Sequence, residues 1–571
     1  MRPCPARLAV ALATLLGFAL GTEAGAQDVE QLQDRLASAF GAPVWRGATW
    51  GVMVLSLDTG DTLFSIEPDE PLAPASNLKL LTTAAALRIL GTDYRFRTYL
   101  LTEGEVINGV LHGDLVLYGT GDPGISDRFY RSKDEVFRLL IEQLVDLGIH
   151  TVDGNLVGDA SFLSGPLRPE GWHPNDLNDG FAGAISALSF NENVISFRVV
   201  AGPAGTTPTV LTIPEHAGLE VVNAARTVAA DARPRLAILR DHPLEPVRVE
   251  GRLLAGAKDV WREMTVPVPA HFAASVFRAT LEERGIALLG KIRTVDAPNE
   301  SVIDRISAPA LGRRGSRVLA RHVSDPLSVY LAVINKESNN LFAELVFRTL
   351  GRVTSGVGSP EASAAAVRTA LGEVGVDMSD VVQLDGSGLS AGSRVSASTF
   401  VEVIERMAAS PAWPEYWGSL PQAGTRRELG RMFGTPAAGN LRAKTGTIEG
   451  VSALTGMVRS LSGERLAFSL LVNNTRSNSR AKAVENQVGA ILASFGRAVS
   501  SNPAQRFAEG LSEPDADAPS RYQVARGENL ALIADRHGLA IDDLIEANPD
   551  LQANRVVAGQ WLDIPRRGVT Q

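Results

Sequence analysis

From Leu80 to Leu90 the chain is an almost unbroken run of Leu, Thr, Ala and Ile, long enough for about three turns of helix. A helix of this kind has no polar face, so it belongs inside a domain rather than on its surface. Ser76 and Lys79 stand three residues apart at its start, in Pro74-Ala75-Ser76-Asn77-Leu78-Lys79, and share one helical face. A lysine carried into an apolar interior is costly unless it is paired or used. A serine hydroxyl is a weak nucleophile at neutral pH, and an amine whose pKa is lowered by desolvation and nearby cations can take its proton. The chain has only seven lysines, which makes a buried one informative. Ser-x-x-Lys also arises by chance: Ser479-Arg480-Ala481-Lys482 is a second copy, in a polar stretch where it is assigned no role.

Composition narrows the classes. With 571 residues, 45% of them apolar, the chain can bury several cores, and two to four domains are expected. A net charge of −9 and a pI near 5.6 argue against a nucleic-acid surface. Residues 1–26 are read as a cleaved secretory signal, with basic Arg2 and Arg7, an apolar stretch from Leu8 to Gly21 and a small-residue site at Ala24-Gly25-Ala26. The apolar run is short for a membrane anchor, so no transmembrane anchor is expected in the mature chain. Cys4, the single cysteine, lies in that signal. An exported chain without disulfides suits a bacterial periplasm, and it excludes thiol catalysis and thiolate metal sites. The eight histidines include no His-x-x-x-His or His-Glu-x-x-His, and no metal or other cofactor is expected.

Gly51 to Leu57 and Thr62 to Ile66 read as strands about an Asp58-Thr59-Gly60 turn. Strand candidates follow the Ser76 helix at Tyr94–Leu101, Val106–Leu111 and Leu115–Tyr118. The Gly119-Thr120-Gly121-Asp122-Pro123-Gly124 turn lacks the Gly-Lys-Ser/Thr ending of a phosphate loop. Helical spacing returns over 134–147, and from Val152 to Arg293 short strands prevail around one helix, Pro269 to Gly285. Two apolar helical segments, Leu327–Ile334 and Leu341–Leu350, are interrupted by polar Asn335-Lys336-Glu337-Ser338-Asn339-Asn340, which calls for a cleft or a polar helix junction. After Asn440-Leu441-Arg442-Ala443-Lys444-Thr445-Gly446-Thr447 come strand candidates 453–459 and 466–472 and a helix at 481–495. Two N-terminal strands, three C-terminal strands and the last helix would form an antiparallel sheet flanked by helices, an α/β catalytic domain of residues 27–94 and 306–495. Residues 95–305 would be inserted, mostly β modules. A Ser/Pro/Ala-rich and acidic linker, 496–520, leads to a compact unit at 521–566, too small for a large core and better suited to recognition.

Ser76-x-x-Lys79, Ser338-x-Asn340 and Lys444-Thr445-Gly446 stand in the order found in penicillin-binding proteins and serine β-lactamases. The 262 residues between Ser76 and Ser338 resemble the D-alanyl-D-alanine carboxypeptidase/endopeptidases of the penicillin-binding protein 4 type, which carry domains inserted after the serine helix. Gly171-Trp172 with Asp176-Leu177, Asn191-Glu192-Asn193, Ser324-Asp325-Pro326-Leu327 and Asp385-Gly386-Ser387-Gly388-Leu389-Ser390 resemble that family too. Phe181 stands where many relatives have tyrosine, and Gly424-Thr425-Arg426 is shorter than the usual loop. The resemblance implies a penicillin-binding protein/serine β-lactamase-like fold and a serine ester formed by Ser76 with Lys79 as base. It implies further roles for Ser338 in protonating the leaving amine, Asn340 in orienting Lys79 and substrate, and Lys444 in keeping the site electropositive. Backbone N–H groups of Ser76 and Thr447 would hold the oxyanion, and Thr445, Gly446 and Thr447 would meet the substrate carboxylate. The terminal unit resembles a LysM module through Tyr522-x-Val524, Gly527-Glu528-Asn529-Leu530, Asn548, Gly559-Gln560 and Ile564-Pro565. The partners implied are peptidoglycan stem peptides and glycan strands, with β-lactams as covalent inhibitors. A serine β-lactamase and a non-catalytic wall-binding protein are the rival readings.

Overall fold

The computed structural model describes residues 29–41, 45–302 apart from 216–217, 230–232, 234 and 243, then 317–497, and near the C-terminus 520–523, 544–545, 547–548 and 561–564. The signal expected at 1–26 with Cys4, most of the expected linker, and the Val524, Gly527-Glu528-Asn529-Leu530, Gly559-Gln560 and Pro565 matches lie outside the described residues. The chain divides into two units, Met1–Ser500 and Ser501–Gln571.

The first unit holds a five-stranded sheet in the order 442–448, 451–459, 465–473, 49–56, 62–66, antiparallel throughout. The five strands come from opposite ends of the unit, as the sequence suggested. Val451–Arg459 and Arg465–Asn473 are buried along nearly their whole length, because helices cover both faces. Alternation then sorts the side chains. Leu454, Val458, Leu466, Phe468 and Leu470 pack on one side with the helices Val29–Phe40 and Asn478–Ala493. Smaller Ala453, Thr455, Ala467 and Ser469 lie toward the other, where the helix Lys79–Ile89 approaches. Asn77 Nδ2 donates to Thr455 Oγ1 at 2.8 Å, which pins the start of that helix to the sheet.

Lys79 through Leu87 are all buried, in keeping with the missing polar face. Leu80, Leu81 and Leu87 each contribute on the order of 1.5–3 kcal/mol by leaving water. The helices Leu327–Lys336, Asn340–Ser355, Pro360–Gly372 and Ala397–Ala408 complete that layer. The helices Val29–Phe40 and Pro360–Gly372 had no counterpart in the sequence reading. Both are amphipathic, with Leu32, Leu36 and Phe40, or Ala366, Val367 and Leu371, on the buried side.

Among the described residues between Ile89 and Leu327 the chain builds four further sheets around a second core, which Leu341 and Leu345 join. One has the order 292–295, 156–159, 115–119, 97–102, 317–323. Its last strand, Arg317–Val323, runs antiparallel to Arg97–Thr102 although it lies beyond residue 305. The single strand expected at Val106–Leu111 is two, Glu105–Ile107 and Val110–His112, paired through Asn108-Gly109. Asn108 and Gly109 both have positive φ, 50° and 77°, the conformation a tight hairpin requires and an Asn-Gly pair supplies.

In the second unit, Ser520–Gln523 pairs antiparallel with Trp561–Ile564. Asn548 Nδ2 donates to the Asp563 carbonyl and its Oδ1 accepts from the Asp563 N–H, both at 2.7 Å, which ties the helical residues near Leu544 to the closing strand. Among the described residues no helix is long and apolar enough to cross a membrane.

Candidate active site

The turn Ala75–Leu78 enters the Lys79 helix through Ala75, whose φ of 46° is unfavourable for a residue with a side chain. Ser338 has φ 58°. Strain beside two of the candidate residues is the kind that persists where surrounding structure enforces it. Ser76 follows Ala75 and is half-buried, whereas Lys79 is wholly buried.

Lys79 Nζ lies 3.1 Å from Ser76 Oγ, 2.6 Å from Asn340 Oδ1 and 2.7 Å from the Ser387 carbonyl oxygen. An ammonium would donate to all three. In a neutral amine, Asn340 and Ser387 take the two hydrogens and the lone pair is left for the Ser76 hydroxyl. Burial pushes the Lys79 pKa down to about 7, against the opposing pull of Asp385 and then Glu344. The arrangement can therefore deprotonate serine near neutral pH.

Lys444 Nζ donates to Ser338 Oγ and to the Thr445 carbonyl, each at 2.9 Å. It too is fully buried, and burial followed by the charge of Lys79 holds it well below the usual lysine range. Arg442–Ile448, which carries Lys444, is an edge strand of the sheet and packs beside the Ser76 turn. A Cβ on Gly446 would stand 2.8 Å from the Pro74 carbonyl oxygen and 3.2 Å from Ala75 Cβ, so the close approach depends on this glycine. Thr445 is half-buried and Thr447 exposed on the same strand. All eight candidate residues thus gather in one place, while the second Ser-x-x-Lys stands apart. Ser479 is exposed and its hydroxyl pairs with Ser477 Oγ at 3.0 Å.

Two buried acids shape the loop that presents the Ser387 carbonyl. Glu344 Oε1 accepts from the N–H groups of Gly386 and Ser387 at 2.9 and 2.8 Å. Asp385 accepts from the N–H groups of Gly388 and Ser390 and, at 3.0 Å, from Trp172 Nε1. Sequence reasoning missed Glu344. Its signal was a lone acid four residues after Asn340, on the same helical face, within an apolar stretch.

The inserted region reaches the site as well. Asn340 Nδ2 donates to the Phe181 carbonyl at 2.9 Å, and Ser390 Oγ donates to the Glu170 carbonyl at 3.0 Å. Asn339 caps its own helix by accepting from the Phe342 N–H, and its amide nitrogen donates to Glu192, which also pairs with Arg128. The loop after Gly424 is tied in through Glu428, which accepts from Lys336 Nζ at 2.8 Å and from the Gln422 N–H at 2.7 Å.

A helix-covered antiparallel sheet with a half-buried serine bonded to a buried lysine at one edge defines a serine acyl-transfer enzyme of the penicillin-binding protein class. The chain belongs to the D-Ala-D-Ala carboxypeptidase 3 (S13) family, which residues 32–495 match, and residues 522–565 match the LysM domain. It is 34% identical over 497 residues to the D-alanyl-D-alanine carboxypeptidase of Actinomadura sp. (strain R39), an alignment covering 84% of this chain and 88% of that protein. The crystal structure of penicillin binding protein 4 from Haemophilus influenzae superposes with a TM-score of 0.66 at 25% identity, over 81% of this chain and 98% of that one. A second structure of the Haemophilus protein, complexed with a β-lactam, gives 0.63 at 23% identity, over 80% and 97% of the two chains. The chain is accordingly a serine-type peptide hydrolase that works through an acyl-enzyme.

Proposed function

We propose that the protein is a periplasmic D-alanyl-D-alanine carboxypeptidase that also cleaves D-alanyl cross-links of peptidoglycan, with Ser76 as nucleophile. The observation that carries this reading is Lys79 Nζ, 3.1 Å from Ser76 Oγ with its remaining valences directed to Asn340 and Ser387. Ser76 Oγ attacks the carbonyl between two D-alanines as its proton passes to Lys79. The C–N bond then breaks, and the leaving amine takes a proton through Ser338, whose hydroxyl is held by Lys444. N–H groups of Ser76 and Thr447 hold the oxyanion, where preorganised donors are worth several kcal/mol. Water attacks the ester and frees Ser76. Thr445, Gly446 and Thr447 receive the substrate carboxylate, and that anion offsets the burial that otherwise disfavours a charged Lys444. The same site accounts for covalent inhibition by β-lactams.

Catalysis belongs, in this reading, to residues 27–94 and 306–495, with 95–305 as the insert joined by strand Arg317–Val323. Residues 521–566 bind wall glycan, after a linker at 496–520 and, upstream, a signal at 1–26. Carboxypeptidase and endopeptidase substrates both present a D-Ala carbonyl to Ser76, so room for the leaving group decides between them. Digesting purified peptidoglycan with the wild type and S76A, then separating the muropeptides by mass, tests the reading. Pentapeptides and cross-linked dimers should fall and free D-alanine rise with the wild type alone. Unchanged dimers would limit the enzyme to the carboxypeptidase reaction, and no change of either kind would remove the assignment. In the same assay a chain lacking 521–566 should be retained less on intact sacculi.

Acylation should also follow the protonation of Lys79. Its folded pKa is lowered, so the neutral, competent amine is the minor form below about pH 7 and the major form above it. The rate of penicillin acylation is expected to climb between pH 5 and 7 and to level off above. A flat rate across that range would exclude Lys79 as the base.

A further inference from the structure

Two arginines of the inserted region are left without the partners that buried guanidinium groups require. Arg240, only 4% exposed, follows the strand Arg235–Leu239. Its Nε donates to Asn178 Oδ1 at 2.8 Å and its Nη2 to the Thr265 carbonyl at 2.7 Å, but Nη1 is buried with no acceptor. Arg168, in Leu167-Arg168-Pro169, has both Nε and Nη2 buried with no acceptor. Neither arginine forms an ion pair with a carboxylate of the described residues.

The two are within electrostatic reach of one another. Burial, and then the charge of Arg168, hold Arg240 down to about 10, and burial lowers Arg168 as well. Arginine still keeps its proton at neutral pH, so the pair cannot relieve itself by titrating as a buried lysine can. Uncompensated charge in such a place is destabilising, and unmade hydrogen bonds to charged groups add to it. A planar or tetrahedral oxyanion between the two side chains would supply acceptors for the idle N–H groups and turn repulsion into two attractions.

Arg240 is built into its surroundings rather than left on the surface. Asn178 and Thr265 fix the Arg240 head, and Asn178 Nδ2 returns a hydrogen bond to the Arg240 carbonyl at 2.6 Å. The segment holding Arg168 is fastened at Leu167, whose carbonyl accepts from the Ile185 N–H at 2.7 Å.

We propose that Arg168 and Arg240 form an oxyanion-binding site, for a carboxylate or phosphate group, built from residues other than the eight gathered about Ser76. Asn178 and Thr265 position Arg240, and Arg168 supplies the second guanidinium.

Thermal unfolding of the full chain at pH 7 and constant ionic strength tests this, with chloride replaced stepwise by inorganic phosphate or by acetate. A saturable rise in Tm, of about 2 °C or more over chloride, is expected with at least one of them. Whichever raises it identifies the ligand as phosphate or carboxylate. R168Q, the substitution at the less buried arginine, should abolish the rise yet still acylate at Ser76 in chloride, which shows that the variant is folded. R240K, keeping one charge but losing the fork, should weaken the response at least tenfold in the anion concentration needed. A Tm indifferent to both anions, or a rise equal in the wild type and R168Q, would overturn the proposal.

Discussion

S76A is expected to take up no penicillin at all, whereas the wild type gains one drug mass on the peptide containing Ser76. Without Oγ no ester can form, so the loss is complete for acylation, and peptidoglycan digestion should fall by about three orders of magnitude or more. K79A tests the other half of the pair. It removes a base held 3.1 Å from the nucleophile, and the acylation rate should drop by about 10²–10⁴-fold. Mass spectrometry of the intact chain and of its digest separates the cases. An adduct on Ser479, which is exposed and bonded to Ser477, would move the nucleophile to the second Ser-x-x-Lys and overturn the assignment.

G388A should be nearly as damaging, although Gly388 has no side chain to lose. Its φ is 77°, and a Cβ there would stand 1.9 Å from the carbonyl oxygen of Ala75, the residue before Ser76. The left-handed backbone alone costs a residue with a Cβ about 1–2 kcal/mol. The overlap is with backbone, so it can be relieved only by moving the Ala75 turn or the Asp385–Ser390 loop, and both hold Lys79 partners. A loss of about 2–4 kcal/mol in denaturant unfolding is expected, with acylation slowed beyond what the lower stability explains. G372A provides the comparison. Beyond its chain neighbours and its own helix backbone, no atom lies within 4 Å of the added Cβ at the end of its helix, and that substitution should be neutral or mildly stabilising. Wild-type midpoint and acylation rate in G388A would show that the contact is not needed.

Much of this site was legible because its chemistry rests on side chains at short, fixed spacings. Ser76 with Lys79, and Ser338 with Asn340, announce themselves in a few residues, and the apolar helix behind Ser76 marks the site as interior. The carbonyl groups were not legible. Ser387 and Phe181 contribute backbone oxygen, which any residue could supply, and their positions follow from loops folded far from Lys79 in sequence. The Arg317–Val323 strand was missed for a related reason: its partner lies some two hundred residues earlier, and such pairing leaves no local period. The Asn108-Gly109 turn was readable and was passed over, because the apolar residues on either side ran together as one strand.

The closure of the sheet also dictates an order of assembly. Thr49–Ser56 pairs with Thr62–Ile66 on one side but with Arg465–Asn473 on the other, a partner synthesised some four hundred residues later. Long-range pairing of this kind is slow, because loop entropy must be overcome before any contact forms. The sheets of the inserted region close largely on nearer neighbours and can fold first, drawing the two ends of the sheet toward each other. A chain interrupted before residue 442 would carry Ser76 and Lys79 but lack the edge strand that bears Lys444 and two of the three inner strands. Acylating power should therefore emerge only with the last sixty or so residues of the first unit, so that unfinished molecules are silent rather than weakly active.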